Sequence, residues 1–165
     1  KLIRIFTEYG EERYAKKIAE KIANEREKET IRTTGQLAAI IEKCYPPATR
    51  WKYGHPAKRV FQAIRIEVNG ELDGLYDTIK KLCLRLKKGG RMVVISFHSL
   101  EDRIVKTCFK DLESDCTCDK SLPVCVCGKK REIEILTKKP ITASSDELES
   151  NSRAESAKLR VAERV

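Results

Sequence analysis

Three groups of residues in this chain have types and spacings that could do chemistry. The segment Ser96 to Arg103, "SFHSLEDR", follows directly on the apolar run Met92 to Ile95. If that run is a strand of an open α/β sheet, then Ser96, His98, Ser99, Asp102 and Arg103 stand at its carboxyl end, where such sheets hold ligands. A serine beside a histidine also suggests nucleophilic catalysis. The glycine-flanked elbow that exposes a nucleophilic serine is absent, which argues against a hydrolase. Structural duty explains part of the segment as well: Ser99 lies three residues before Asp102 and is expected to cap a helix, with His98 a hydrogen-bonded turn residue.

The second group is Cys116, Cys118, Cys125 and Cys127, two C-x-C pairs separated by six residues. Four thiolates could close a tetrahedral zinc site that pins a loop over 114–130. The usual signature has two residues between paired ligands, so thiols on a loop are the other reading. The third group is Lys58, Gln62, Arg65 and Asn69, spaced four, three and four apart, which lines their polar ends along one side of a helix. Such a row suits either RNA or plain solvation. The preceding segment 45–56 interleaves Arg50, Lys52 and His55 with Trp51 and Tyr53, as RNA-binding loops do, since rings stack on bases while cations hold phosphates. A solvated turn with its rings packed inward fits it equally.

The elements that must position these groups follow from periodicity. Tyr14, Ile18 and Ile22, beside Ala15, Ala19 and Ala23, predict a helix from Glu11 to about Glu27, with Gly10 separating it from a short helix before it. Thr33 and Gln36 have capping-box spacing, and Leu37, Ile40 and Ile41 continue to about Cys44. Pro46 and Pro47 make 45–56 a connecting loop, and Pro56 suits the first turn of a helix whose buried stripe is Val60, Phe61, Ile64 and Val68. Leu72, Leu75, Tyr76, Ile79, Cys83 and Leu86 predict another helix, ended by Gly89-Gly90. Met92 to Ile95 then reads as a strand buried on both faces, as in a parallel sheet covered by helices. A helix follows from Ser99, strands over 131–136 and 158–165, and a short helix capped near Ser144. The order helix, buried strand, helix is that of an α/β fold.

Composition narrows the setting. Apolar residues make up 41% of the 165 and charged residues 36%, a globular balance with no run long enough to span a membrane. With 34 Lys+Arg against 25 Asp+Glu the net charge is +9, which favours polyanions although a solvated basic surface gives the same number. Seven cysteines, without a secretory segment in view, point to reduced cytoplasmic thiols rather than a disulfide framework.

Three stretches together resemble the RsmH/MraW family of bacterial ribosomal-RNA (cytosine-N4) methyltransferases: "HPAKRVFQAIRIEVNGEL" at 55–72, "GGRMVVISFHSLEDRIVK" at 89–106 and "SAKLRVAER" at 156–164. The opening "IFTEYGEERYAKKIA" is similar too, as are "TTGQL" and "LTKKPI", so the likeness runs from near Ile5 to the end. The resemblance implies methylation of the exocyclic N4 of a decoding-site cytidine in small-subunit rRNA, with S-adenosylmethionine as donor. It implies an α/β chain carrying the last three strands of a Rossmann-like class I methyltransferase sheet, with 131–136 and 158–164 antiparallel. Residues 1–55 would be the remainder of an all-helical inserted domain for RNA recognition, and 56–165 the carboxyl-terminal half of the methyltransferase domain. Ser96, His98 and Asp102 would shape the cytidine pocket, while Lys58, Arg59, Gln62, Arg65, Asn69 and Arg103 would meet the RNA. The family's glycine-rich donor loop has no counterpart here and is expected upstream of Lys1, so these residues alone should bind S-adenosylmethionine poorly and be inactive. Ser152 and Glu155 stand where the family usually shows a proline and a second arginine, against a phosphate contact there. The expected partner is small-subunit rRNA or the subunit, with no membrane, and a homodimer is allowed. The rival expectation is a non-catalytic basic RNA-binding module stabilised by a four-cysteine zinc site.

Overall fold

The computed structural model describes residues 1–51, 54–118, 124 and 126–165, with the Thr49 side chain left out. Its elements are α1 (Leu2–Glu8), α2 (Ala15–Lys28), α3 (Thr34–Glu42), a 3-10 turn (Pro47–Thr49), α4 (Lys58–Asn69), α5 (Leu75–Arg85), β1 (Arg91–Ser96), α6 (Ser99–Glu113), β2 (Ile133–Ile135), α7 (Ser145–Ser150), a second 3-10 turn (Ser152–Ser156) and β3 (Lys158–Arg164). They fall into two compact units, Lys1–Glu71 and Leu72–Val165. The buried residues of α4, Val60 and Ala63, belong to the core of the first unit.

In the first unit, Ile5 and Phe6 of α1, Ile18 and Ile22 of α2, Ile41 of α3 and Val60 and Ala63 of α4 close one apolar core. Gly10 lets the chain turn tightly there, since a Cβ would stand 2.7 Å from the Phe6 carbonyl and 3.1 Å from that of Arg59. Glu11 sits at φ 46°, so α2 begins at Ala15 and not at Glu11. Glu12 is buried beside this turn with both oxygens used: one accepts the Tyr14 amide at 2.9 Å, the other the Tyr45 hydroxyl. Burial, and then the Glu12 contact, push the Tyr45 phenol well above its ordinary pKa. The expected capping box of α3 is present, with Thr33 Oγ1 accepting Gln36 N–H at 3.2 Å and Gln36 Oε1 accepting Thr33 N–H at 3.0 Å.

Two details of α4 differ from expectation. The helix starts at Lys58 with Ala57 as N-cap, so Pro56 lies just outside it. Its buried residues are Val60, Ala63 and Ile66, while Val68 is 76% exposed. The small Ala63 side chain gives close approach to neighbouring backbone and rotates the buried stripe away from Val68, which the larger apolar side chains alone did not indicate.

The second unit is α/β. Its sheet has the order β1-β3-β2, and both pairings are antiparallel. Val93 stands opposite Val161, Ile95 opposite Leu159, and Ile135 opposite Ala162. On one face Met92, Val94, Ile133, Ile135 and Ala162 pack against Ile79 and Cys83 of α5 and Val105, Cys108, Phe109 and Leu112 of α6. The expectation that β1 is buried on both faces is corrected: Val93 and Ile95 are 54% and 55% exposed. A continuous apolar run marks a strand able to be covered twice, and among the described residues only one cover exists. β2 is three residues long, shorter than the alternation over 131–136 suggested. Among the described residues no helix is long and apolar enough to cross a membrane.

Candidate functional site

The turn from β1 into α6 gathers the first group of candidate residues. β1 ends at Ser96, which is buried, and its Oγ donates a long hydrogen bond to the Lys158 carbonyl at 3.4 Å. His98, and not Ser99 as expected, is the N-cap of α6. Its Nδ1 accepts the Glu101 amide at 3.3 Å, and Glu101 Oε2 accepts the amides of Phe97 at 2.8 Å and His98 at 3.3 Å. Histidine is not among the residues normally read as caps, yet its unprotonated nitrogen accepts an orphan N–H as a serine oxygen would.

That cap assigns the tautomer. An Nδ1 that accepts carries no proton, so the neutral ring holds its proton on Nε2. The Nε2 atom is buried without a hydrogen-bond partner among the described residues; Glu101 Oε1 lies 3.4 Å away but outside hydrogen-bonding geometry. An unpaired buried donor costs about 1–3 kcal/mol, which an incoming acceptor would recover.

Asp102, one turn into α6, has both oxygens engaged by Arg160 of β3, at 2.6 Å to Nε and 3.0 Å to the terminal nitrogen. Lys158 Nζ is 3.7 Å away. The Arg160 hydrogen bond is the largest influence holding the Asp102 carboxyl below the usual carboxylate range; burial opposes it. A bidentate pair of this kind fixes orientation as well as charge, so Asp102 ties the start of α6 to the middle of the sheet. Arg160 and Lys158 escaped sequence reasoning. The available signal was that β3 alternates the wrong way round, with Arg160 on the covered face while Leu159 and Val161, opposite the exposed Ile95 and Val93, occupy the other. Arg103, the next residue of α6, is exposed.

In the first unit, Lys58, Gln62 and Arg65 come together with Phe61 around a surface hollow of about 270 Å³. Arg65 is held by Glu71 through two hydrogen bonds, 2.7 Å from Nε and 3.0 Å from its terminal nitrogen, and Asn69 donates to the same carboxylate at 3.1 Å. Glu71 was also missed. It returns to the helix because Gly70 adopts a left-handed conformation, φ 61°, and the Glu71 amide bonds back to the Ile66 carbonyl at 3.2 Å. Arg59 is not part of this hollow; its guanidinium donates to the Glu11 carbonyl at 3.4 Å. In the loop before α4, Trp51 is exposed with its ring edge-on to His55, centroids 5.2 Å apart, while Lys52 and Tyr53 lie outside the described residues.

Of the four cysteines, Cys116, Cys118 and Cys127 converge, their sulfurs all within 4.8 Å of one another. Cys125 lies outside the described residues.

A methyl donor's cradle is normally a glycine-rich turn between strand and helix, where backbone approaches the ligand closely. The described turn from β1 to α6 runs Ser96-Phe97-His98-Ser99 and contains no glycine. These residues therefore do not fit a donor cradle.

An α/β unit with polar groups gathered behind a strand follows a helical unit in this chain. The family model of the MraW methylase family matches residues 1–165, and the chain belongs to that family. Ribosomal RNA small subunit methyltransferase H of Caldicellulosiruptor saccharolyticus is 58% identical over 165 residues, 99% of this chain and 53% of the relative. The proteins of the same name from Clostridium botulinum (strain Loch Maree) and Halothermothrix orenii are 56% and 53% identical over 164 residues, again 99% of this chain and 53% of each relative. The chain thus spans about half the length of the curated relatives it matches.

Proposed function

We propose that this chain supplies the substrate-facing part of a small-subunit ribosomal-RNA methyltransferase that acts on the exocyclic N4 of a decoding-site cytidine. The observation that carries the reading is the family match across all 165 residues, with relatives above 50% identity named as rRNA methyltransferases. In that reaction S-adenosylmethionine supplies the methyl group. The three strands form the edge of a Rossmann-like sheet that continues beyond β1, the outer strand among the described residues, and is covered on its second face, which accounts for Val93 and Ile95 being apolar yet exposed here.

Cytosine N4 is a weak nucleophile because its lone pair is delocalised into the ring, so positioning supplies most of the rate. His98 Nε2–H is the donor left over at the strand's carboxyl end, and it meets a ring acceptor of the cytosine, N3 or O2, and not the N4 proton. The Ser96 hydroxyl donates a hydrogen bond to the Lys158 backbone carbonyl and keeps lone pairs for an N–H of the base. Asp102 acts through Arg160: it is a positioning residue that holds the first turn of α6, and with it His98, in place. Lys58, Gln62 and Arg65, beside Phe61, form an RNA contact in which Glu71 presets the guanidinium. Asn69 shares that carboxylate, and Arg59 and Arg103 contribute charge to phosphates.

The test is a chimera in which these residues replace the matching segment of the Caldicellulosiruptor saccharolyticus relative, assayed for transfer of labelled methyl groups to small-subunit RNA. The expected product is N4-methylcytidine on nucleoside analysis. Arg65→Ala should weaken RNA binding and flatten its salt dependence by roughly one charge. A folded chimera that methylates another atom, or none, contradicts the reading.

A further inference from the structure

The segment between α6 and β2 is tied down at both ends. Lys129 Nζ donates to the Asp111 carbonyl at 2.6 Å, and the Glu132 amide to the Leu112 carbonyl at 2.9 Å, so the excursion leaves and rejoins the unit at one place. Beyond that neck, Val124 and Val126 are 70% and 79% exposed. Neither valine contributes burial that would offset the conformational entropy of ordering its part of the chain. A bound ion would supply that support.

Three sulfurs meet where that support is needed. Cys116, Cys118 and Cys127 lie within 4.8 Å of one another, with the Cys116 and Cys127 sulfurs 4.0 Å apart. Zinc–sulfur bonds of about 2.3 Å in a tetrahedron place their sulfurs about 3.8 Å apart, so a small contraction seats an ion. Independently of that spacing, each sulfur accepts a backbone N–H: Cys116 from the Cys118 amide at 3.3 Å, Cys127 from the Thr117 amide at 3.4 Å, and Cys118 from the Val126 amide at 3.4 Å. A neutral thiol is a weak acceptor, whereas a thiolate gains from every amide dipole aimed at it. Convergent sulfurs that each receive an amide are arranged as metal-ligating thiolates are, with backbone dipoles aimed at the donor atoms and room for one ion among them.

We infer that Cys116, Cys118 and Cys127 bind one divalent ion of the zinc class as a structural site that closes the loop between α6 and β2. Thiolate donors select zinc over magnesium or calcium, and each thiol proton leaves to solvent as its sulfur is ligated. The ion is independent of methyl transfer, since neither His98 nor the Lys58, Gln62 and Arg65 row contributes to the cluster.

The 165-residue chain, purified and kept reduced, is titrated with zinc alone and with cobalt(II) alone. The expected result is one zinc per chain and, for cobalt, the near-ultraviolet charge-transfer and intense visible bands of tetrahedral thiolate coordination. Cys127→Ser should weaken cobalt binding by more than roughly 100-fold, beyond what loss of a supporting hydrogen bond to a ligand causes. Cys127 is exposed, so its replacement leaves the core intact, which circular dichroism checks. Absence of thiolate-to-cobalt bands in the reduced folded chain, or bands that survive both Cys116→Ser and Cys127→Ser, overturns the site. Metal binding by a chain whose chimera is inactive removes the methyltransferase reading alone; an active chimera that binds no metal removes this site alone.

Discussion

The two units of this chain are held together by different means. In Lys1–Glu71, apolar side chains from α1, α2, α3 and α4 close a core in which Phe6, Ile18, Ile41 and Val60 are fully buried. In Leu72–Val165 the described residues cover one face of the sheet, the other exposes Val93 and Ile95, and a buried Asp102–Arg160 pair joins α6 to β3. A closed core supports a surface row such as Lys58, Gln62 and Arg65 without further help. A half-covered sheet relies on its polar clamp to hold the turn that carries His98.

That contrast can be broken or sharpened by substitution. Phe6→Ala should have the largest effect, about 3–5 kcal/mol, because it empties the centre of the helical unit. Urea denaturation read at Trp51, the single tryptophan, reports this unit. Next, Asp102→Ala strands a buried guanidinium and should destabilise the sheet unit by about 3 kcal/mol, read as faster amide exchange over 91–96. Asp102→Leu combined with Arg160→Met should recover most of that loss, because the pair is removed whole. A single substitution as mild as the double one would show that the clamp does not hold the sheet unit.

Acid should reproduce part of the Asp102 effect. The carboxyl is depressed in the folded state, so its contribution is complete above the ordinary value of 3.8 and disappears as pH falls through the lower folded value. Protection over 91–96 should therefore fall below about pH 4 in the parent chain, and fall less in the Asp102→Leu/Arg160→Met variant. The smallest effect is expected from Ile95→Thr, within about 0.5 kcal/mol, since that side chain is more than half exposed. A loss of about 2 kcal/mol or more, on the order of a buried apolar truncation, would mean that this face is covered in solution.

Much of the scaffold was legible because it rests on local signals. Thr33 and Gln36 announce the start of α3, Ser144 that of α7, and the apolar periodicity marks α2, α5 and β1. The errors arise where a local signal is silent or ambiguous. Histidine capping of α6 is invisible to a rule written for hydroxyl, amide and carboxylate side chains. A run of Met, Val, Val and Ile tells that a strand can be covered on both faces, not whether it is. The stripe of α4 was misplaced because Ala63, the residue that makes close packing feasible, carries little hydrophobic weight. The candidate site was legible in composition more than in geometry. Asp102 and Arg160 are 58 residues apart, and only antiparallel pairing of β3 with β1 brings them together. Glu71 reaches Arg65 through a left-handed Gly70, a turn that the Asn69-Gly70 dipeptide hints at without naming the partner.

The most direct test of the central claim separates the two duties of His98. Asparagine caps a helix as well as any residue but cannot extend a donor to the position of Nε2, so His98→Asn in the chimera should keep stability within about 0.5 kcal/mol. Methyl transfer to cytidine N4 should then fall by roughly 100-fold, with RNA binding unchanged, as expected when a contact made at the reacting base is lost. Methylation by His98→Asn at the parent rate would contradict it.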